Sequence, residues 1–82
     1  MKLYSLDNKF IGDHFSWPDG FTGIVEYEHG TRWWLLEEKY HRIDGPAIER
    51  HDGHKQWFIN DKQVTELECK LLCDIMKLKG LL

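Results

Sequence analysis

Between residues 23 and 59 apolar and polar positions alternate on either side of a glycine, and the chain does this twice. GIVEYE runs into His29-Gly30 and returns as TRWWLL. PAIER runs into Asp52-Gly53 and returns as HKQWFI. Alternation with period two around a glycine predicts a β-hairpin, because glycine accepts the positive φ that a tight turn requires. Shifting the chain by 23 residues lays one hairpin over the other. Gly30 falls on Gly53, Glu26 on Glu49, Val25 on Ile48, Arg32 on Lys55, Trp34 on Trp57, Leu36 on Ile59 and Lys39 on Lys62. Upstream, Asp19-Gly20 matches Asp44-Gly45 with a two-residue slip, and YSLDNKF (4–10) resembles WLLEEKY (34–40) as an eroded half-copy. Each return strand ends in a polar turn, Glu37-Glu38-Lys39 or Asn60-Asp61-Lys62. The expectation is an antiparallel β-meander of five or six short strands. Pro46 lacks an N–H and belongs at a strand start or edge.

After residue 64 the period changes. Thr65-Glu66-Leu67-Glu68 reads as a capping box, with Val64 and Cys69 placed as a hydrophobic staple. A helix is predicted from about 66 to 79, stopped by Gly80. The fold class expected is therefore α+β, one domain over 1–82. It divides into a partial repeat and loop (1–18), two hairpin repeats (19–64) and a C-terminal helix (65–80). At 100° per residue the helix carries two apolar stripes. One is Leu67, Leu71, Ile75 and Leu78; the other is Cys69, Leu72, Cys73 and Met76. Together they cover about 240°, far more than the ~100° of one buried face. One stripe is surplus to a small sheet, and Leu81-Leu82 adds to the apolar surface. The second stripe makes Leu72, Cys73 and Met76 a candidate homodimer interface.

Composition narrows the function. The chain has 82 residues, four of them Trp, and a net charge of −3. At this size roughly 60–65% of the unfolded surface is buried, so stability is marginal. All the excess negative charge falls in residues 1–40, where seven Asp/Glu face four Lys/Arg. Phosphate backbones attract the opposite balance; a basic protein partner suits this one. No run approaches the ~18 apolar residues of a membrane span. The opening MKLYSLDNKF has neither an apolar core nor a cleavage site, and the two Cys are too few for a disulfide scaffold. These set the expectation of a cytoplasmic chain with free thiols and no membrane attachment.

Catalytic and metal chemistry find little support. His51, His54 and Asp52 flank a turn, and Cys69 and Cys73 are one helical turn apart. Zinc asks for four ligands, typically in closely spaced pairs, so no metal or cofactor is expected. Neither a nucleophile beside a spaced His and acid nor a glycine-rich phosphate loop is present, which points away from an enzyme. Nucleic-acid binding is the main rival. Trp33, Trp34, Trp57, Phe58 and Tyr40 could form a stacking platform beside Arg32, Lys39, Arg42, Arg50 and Lys55. Trp34 and Trp57 are repeat-equivalent and read as core. Trp33, opposite Gln56, points to the other face and is the best exposed aromatic. The loop Phe15-Ser16-Trp17-Pro18-Asp19-Gly20 is the least repeat-like segment and reads as a binding loop.

Residues 41–53, HRIDGPAIERHDG, contain HR-x-DGPA followed by DG and then Trp57. With Trp34 ahead of it, this resembles short MORN-like β-repeat proteins of bacteriophages and bacteria, whose units read W-x-x-N-G-x-x-H-R-x-D-G-P-A. The match covers about residues 19–64, and the full motif occurs once. The first copy lacks the HR and the Pro, Asn60-Asp61 stands for Asn-Gly, and Gln63-Val64-Thr65 stands where another HR would fall. The resemblance implies a scaffold, often phage-encoded, with the helix replacing the next repeat. From the residues themselves, Asp44-Gly45 makes the turn, and Arg42 pairs with Asp44 or Glu49. Together these predict a non-enzymatic protein-binding module, a phage accessory protein that occludes a bacterial host or defence protein. Its contact residues would be Trp17, Asp19, Glu26, Glu28, Trp33, Glu37 and Glu38, since exposed Trp is an interface hot-spot type.

Overall fold

The computed structural model describes residues 1–81; Leu82, counted above with the trailing apolar surface, lies outside them. Eight short strands form one antiparallel sheet, followed by a single helix, an α+β architecture. The strands are β1 (Lys2–Tyr4), β2 (Phe10–Asp13), β3 (Gly23–Glu26), β4 (Arg32–Leu36), β5 (Lys39–Tyr40), β6 (Ile48–Glu49), β7 (Lys55–Ile59) and β8 (Lys62–Val64), and the helix is α1 (Glu66–Leu78). The sheet order is β2-β1-β3-β4-β6-β7-β8, with β5 also paired to β4. Eight strands exceed the five or six expected because each polar turn is followed by a further short strand, β5 or β8.

The two glycine turns are built alike. The Gly30 N–H donates to the Tyr27 carbonyl and the Tyr27 N–H to that of Thr31, both at 2.9 Å; Gly53, Arg50 and His54 repeat the pattern at 3.0 and 2.8 Å. Gly30 and Gly53 sit at φ 101° and 90°, where a Cβ would be strained. The polar turns are of a different type. Leu36 pairs with Lys39 and Ile59 with Lys62, leaving Glu37-Glu38 and Asn60-Asp61 as two-residue links with positive φ at all four positions. That is the mirror-image turn that matches strand twist. The half-copy differs. Asn8 donates to Ser5 and Ser5 to Lys9, both at 2.9 Å, with Asn8 at φ 67°. YSLDNKF thus forms the three-residue turn of the glycine type, and its likeness to WLLEEKY stops at the strands.

Direct pairing of Leu3 with Val25, Val25 with Trp33, Trp33 with Ile48 and Ile48 with Gln56 puts these residues in one row on one face. The neighbouring row, Lys2, Glu26, Arg32, Glu49 and Lys55, points the other way. Leu3, Phe21, Val25 and Leu35 form one buried cluster under the 14–22 loop; Ile24, Trp34 and Ala47 form a second. Gly23 permits the close approach of β1, because a Cβ there would collide with the Tyr4 carbonyl oxygen and the Phe21 ring.

The helix begins with the predicted capping box. The Thr65 hydroxyl accepts from the Glu68 N–H and the Glu68 carboxylate from the Thr65 N–H, both at 3.1 Å. It ends in a Schellman motif, with Leu81 N–H on the Met76 carbonyl, Gly80 N–H on that of Lys77, and Gly80 at φ 71°. It packs on the Trp57 side of β7 and on the 42–46 loop. Cys69 and Cys73 are buried there, and the Cys69 thiol points at the carbonyls of Arg42 and Ile43, at 3.4 and 3.3 Å. Burial, Cys73 and Asp44 push the Cys69 thiol pKa up, so it stays a neutral donor. No helix among the described residues is long and apolar enough to cross a membrane.

Candidate functional site

The HR-x-DGPA segment closes the first hairpin copy from below. The Arg42 guanidinium lies 4.0 Å from the centre of the Trp34 ring. Its Nε donates to Asp44 at 3.1 Å, and its Nη1 to the Pro46 carbonyl at 3.1 Å and to Glu49 at 3.4 Å. Both carboxylates expected for Arg42 are thus engaged. His41 Nδ1 accepts from the Asn60 N–H at 3.1 Å, which ties the motif to the turn of the second copy. Burial pushes the His41 pKa down, keeping that nitrogen free to accept. These contacts hold the loop, and four of the residues lining the groove of about 780 Å³ alongside, Arg32, Trp34, Arg42 and Glu49, are already paired or stacked.

The opposite face of the sheet, the open face, has no helix over it. Trp33 is at its centre. Trp17, Tyr27 and Tyr40 meet the Trp33 ring edge-to-face, with centroids 5.9, 5.0 and 5.3 Å away. Phe58 continues the ladder from Tyr40 at 5.3 Å, and His29 stacks on Tyr27 at 5.8 Å. The five larger rings are all half-buried. Edge-to-face packing around Trp33 and the tilted contact of Phe58 with Tyr40 leave these rings few free torsions, so the face is preorganised. Burial raises the hydroxyl pKa of Tyr27, and of Tyr40 with help from Tyr27 and Asp61. Both remain neutral donors near pH 7.

Acidic turns edge the ladder at one end. Trp17 Nε1 donates to Glu38 at 3.1 Å, fixing the indole over Trp33. The Glu38 N–H reaches the Phe21 carbonyl and the Glu37 N–H the Thr22 hydroxyl, both at 2.9 Å, so the 14–22 loop and the Glu37-Glu38 turn form one unit. Asp61 accepts from the Tyr40 N–H at 2.6 Å. The fold therefore gathers Trp17, Trp33, Glu37 and Glu38 in one place, with Asp19 exposed on the same loop. Glu28 is exposed on the hairpin turn beside Tyr27, away from that cluster.

Two expected positions fall elsewhere. Glu26 is on the helix side of the sheet, half-buried, 3.1 Å from Arg32 and accepting the Tyr4 hydroxyl at 3.4 Å. Alternation along β3 puts it opposite Val25 and so away from Trp33. Cys73 is covered by the sheet at 7% exposure and offers nothing to a helix mate; Met76 is half-buried and Leu72 38% exposed. The stripe left outward is Leu67, Leu71, Ile75 and Leu78. The rival platform is also divided. Arg32 and Arg42 are bound to carboxylates on the helix side, and only Arg50 borders the hollow beside Trp33. Among the described residues no three of His, Cys, Asp and Glu come together in a metal-binding group. Tyr27 was not singled out from the sequence, although alternation with Val25 along one strand carried the signal.

Compared with known proteins, the chain matches no protein-family model, no curated protein sequence and no solved structure.

Proposed function

We propose that this chain is a non-enzymatic protein-binding module that engages a basic protein partner through the open face. One observation carries this: a contiguous ladder of half-buried aromatic rings centred on Trp33, uncovered by the helix and bordered by Glu37, Glu38 and Asp61. Preorganised aromatic anchors with a polar rim are the composition of an interface hot spot. The acidic first half supplies the steering charge. The MORN-like resemblance adds the source: a phage accessory protein whose partner is a bacterial host or defence protein, inhibited by occlusion of the surface that Trp33 covers.

The test is affinity capture from nuclease-treated bacterial lysate, with the wild-type chain and with Trp33→Ala and Glu37→Ala. One stoichiometric protein, lost with Trp33→Ala and weakened with Glu37→Ala, is expected. Recovery of nucleic acid alone from untreated lysate would move the assignment to the rival class, as would a binding constant falling steeply with salt.

A further inference from the structure

The side of α1 turned away from the sheet carries Leu67, Leu71, Ile75 and Leu78, exposed at 65%, 52%, 46% and 88%. At 100° per residue Leu71 is diametrically opposite the buried Cys69–Cys73 seam, so the rest of the chain is not placed to cover this row. Its flanks are charged. Lys70 and Asp74 run along one side, Glu68 and Lys79 along the other. Neither Lys70, Asp74 nor Lys79 takes part in an ion pair among the described residues.

These positions have a shared centre. If a second copy of the helix is laid antiparallel about a two-fold axis between Leu72 and Asp74, Leu67 meets Leu78 of the second copy and Leu71 meets Ile75. About the same axis Lys70 meets Asp74 and Glu68 meets Lys79. Antiparallel helices bring like flanks together, so each flank meets its own complement. The helix dipoles also oppose rather than add. A parallel pair would set Leu67 on Leu67 and bring the like partial charges of the helix ends together.

We propose that the chain forms an isologous antiparallel homodimer through the outward stripe of α1. The occupant of this row is a second copy, selected by apolar and charged pairs that agree on one axis. The surface is on the far side of the sheet from the aromatic ladder and stands independently of the function proposed for that ladder.

Sedimentation equilibrium of the full chain, from micromolar to hundreds of micromolar, tests association. A concentration-dependent dimer is expected, and Leu71→Lys should be monomeric throughout. Asp74→Lys turns two attractive contacts per dimer repulsive and should weaken association about tenfold. Adding Lys70→Asp to it should recover most of the loss. Orientation is read by oxidative cross-linking. In the antiparallel pair the two copies of residue 67 are about 17 Å apart, beyond disulfide reach. Leu67→Cys and Leu78→Cys chains should therefore cross-link when mixed and not alone. A monomer at every concentration overturns the proposal. So does a dimer indifferent to Leu71→Lys, or a Leu67→Cys chain that cross-links with itself.

Discussion

The two hairpin copies are the same local structure in different surroundings. β3–β4–β5 is in the middle of the sheet, and its central Trp34 is 7% exposed beneath Arg42. β6–β7–β8 is at the end of the sheet, and its counterpart Trp57 is half-buried against α1. A shared pattern produced the same turns and strands; neighbours decided the burial. The copies also differ in what makes their second turn. Asn60-Asp61 uses residues that tolerate the left-handed region. Glu37-Glu38 adopts φ 49° and 66° without that tolerance, at a cost that Asn and Asp largely avoid. The strained version is the one hydrogen-bonded to the 14–22 loop. Under the proposed function this strain falls at the edge that would meet the partner, while an easier solution exists one repeat away.

The largest expected difference between the copies is at their tryptophans. Trp34→Ala should cost about 3–5 kcal/mol, since it empties a buried site and strands Arg42. Trp57→Ala should cost roughly half as much, because the site is partly solvated and α1 can settle into it. Urea unfolding of the two variants side by side measures this; equal losses would mean that position in the sheet does not set the burial energy.

Exchanging the second turns is the next test. Asn-Gly in place of Glu37-Glu38 should stabilise by about 1 kcal/mol, and Glu-Glu in place of Asn60-Asp61 should destabilise by a similar amount. The first exchange should also weaken partner capture, because it removes the carboxylate that holds Trp17. Thermal melts give the first quantity and the lysate experiment the second.

The smallest effect is a pH dependence confined to the second copy's glycine turn. The His54 side chain, then its backbone N–H, hold the Asp52 carboxyl at about 2. A carboxyl depressed on folding adds stability that is fully present above its unfolded value of about 3.9, and that stability is lost as pH falls through about 2. Asp52→Asn should therefore lower stability slightly and uniformly above about pH 4, and flatten the profile between about pH 4 and 2, where the wild-type advantage is lost. The first copy has His29 at the equivalent place, and His29→Asn should leave the acid limb as it is. Denaturant midpoints across that range decide between them.

Much of this was legible in the chain. Gly30 and Gly53 marked the turns, Thr65 and Glu68 the helix start and Gly80 its end, because each needs a residue type that few others replace. The contacts of Arg42 with Asp44 and Glu49 were legible for the same reason: the three are close along one loop. The strand count was not, since β5 and β8 are two or three residues long, too short to show a period. The buried helix stripe was also hidden. Leu67 and Leu71 are more apolar than Cys69 and Cys73, yet the Cys face is inward, because small side chains let α1 come down onto the carbonyls of the 42–46 loop. Glu26 was misplaced because charge was read without parity: one step along β3 from Val25 changes the face.

One substitution in the repeat has a consequence for size. Thr65 stands at the position that Arg42 holds one unit earlier. In the earlier unit that arginine stacks on Trp34 and opens the 42–46 loop. The threonine caps a helix instead, and that helix turns back over the Trp57 face. β8 is left as a three-residue border at the end of the sheet. An array that grows by hairpins has no intrinsic length, as a polymer has none without a terminator. In this chain the hairpin pattern gives way to the helix at residue 65.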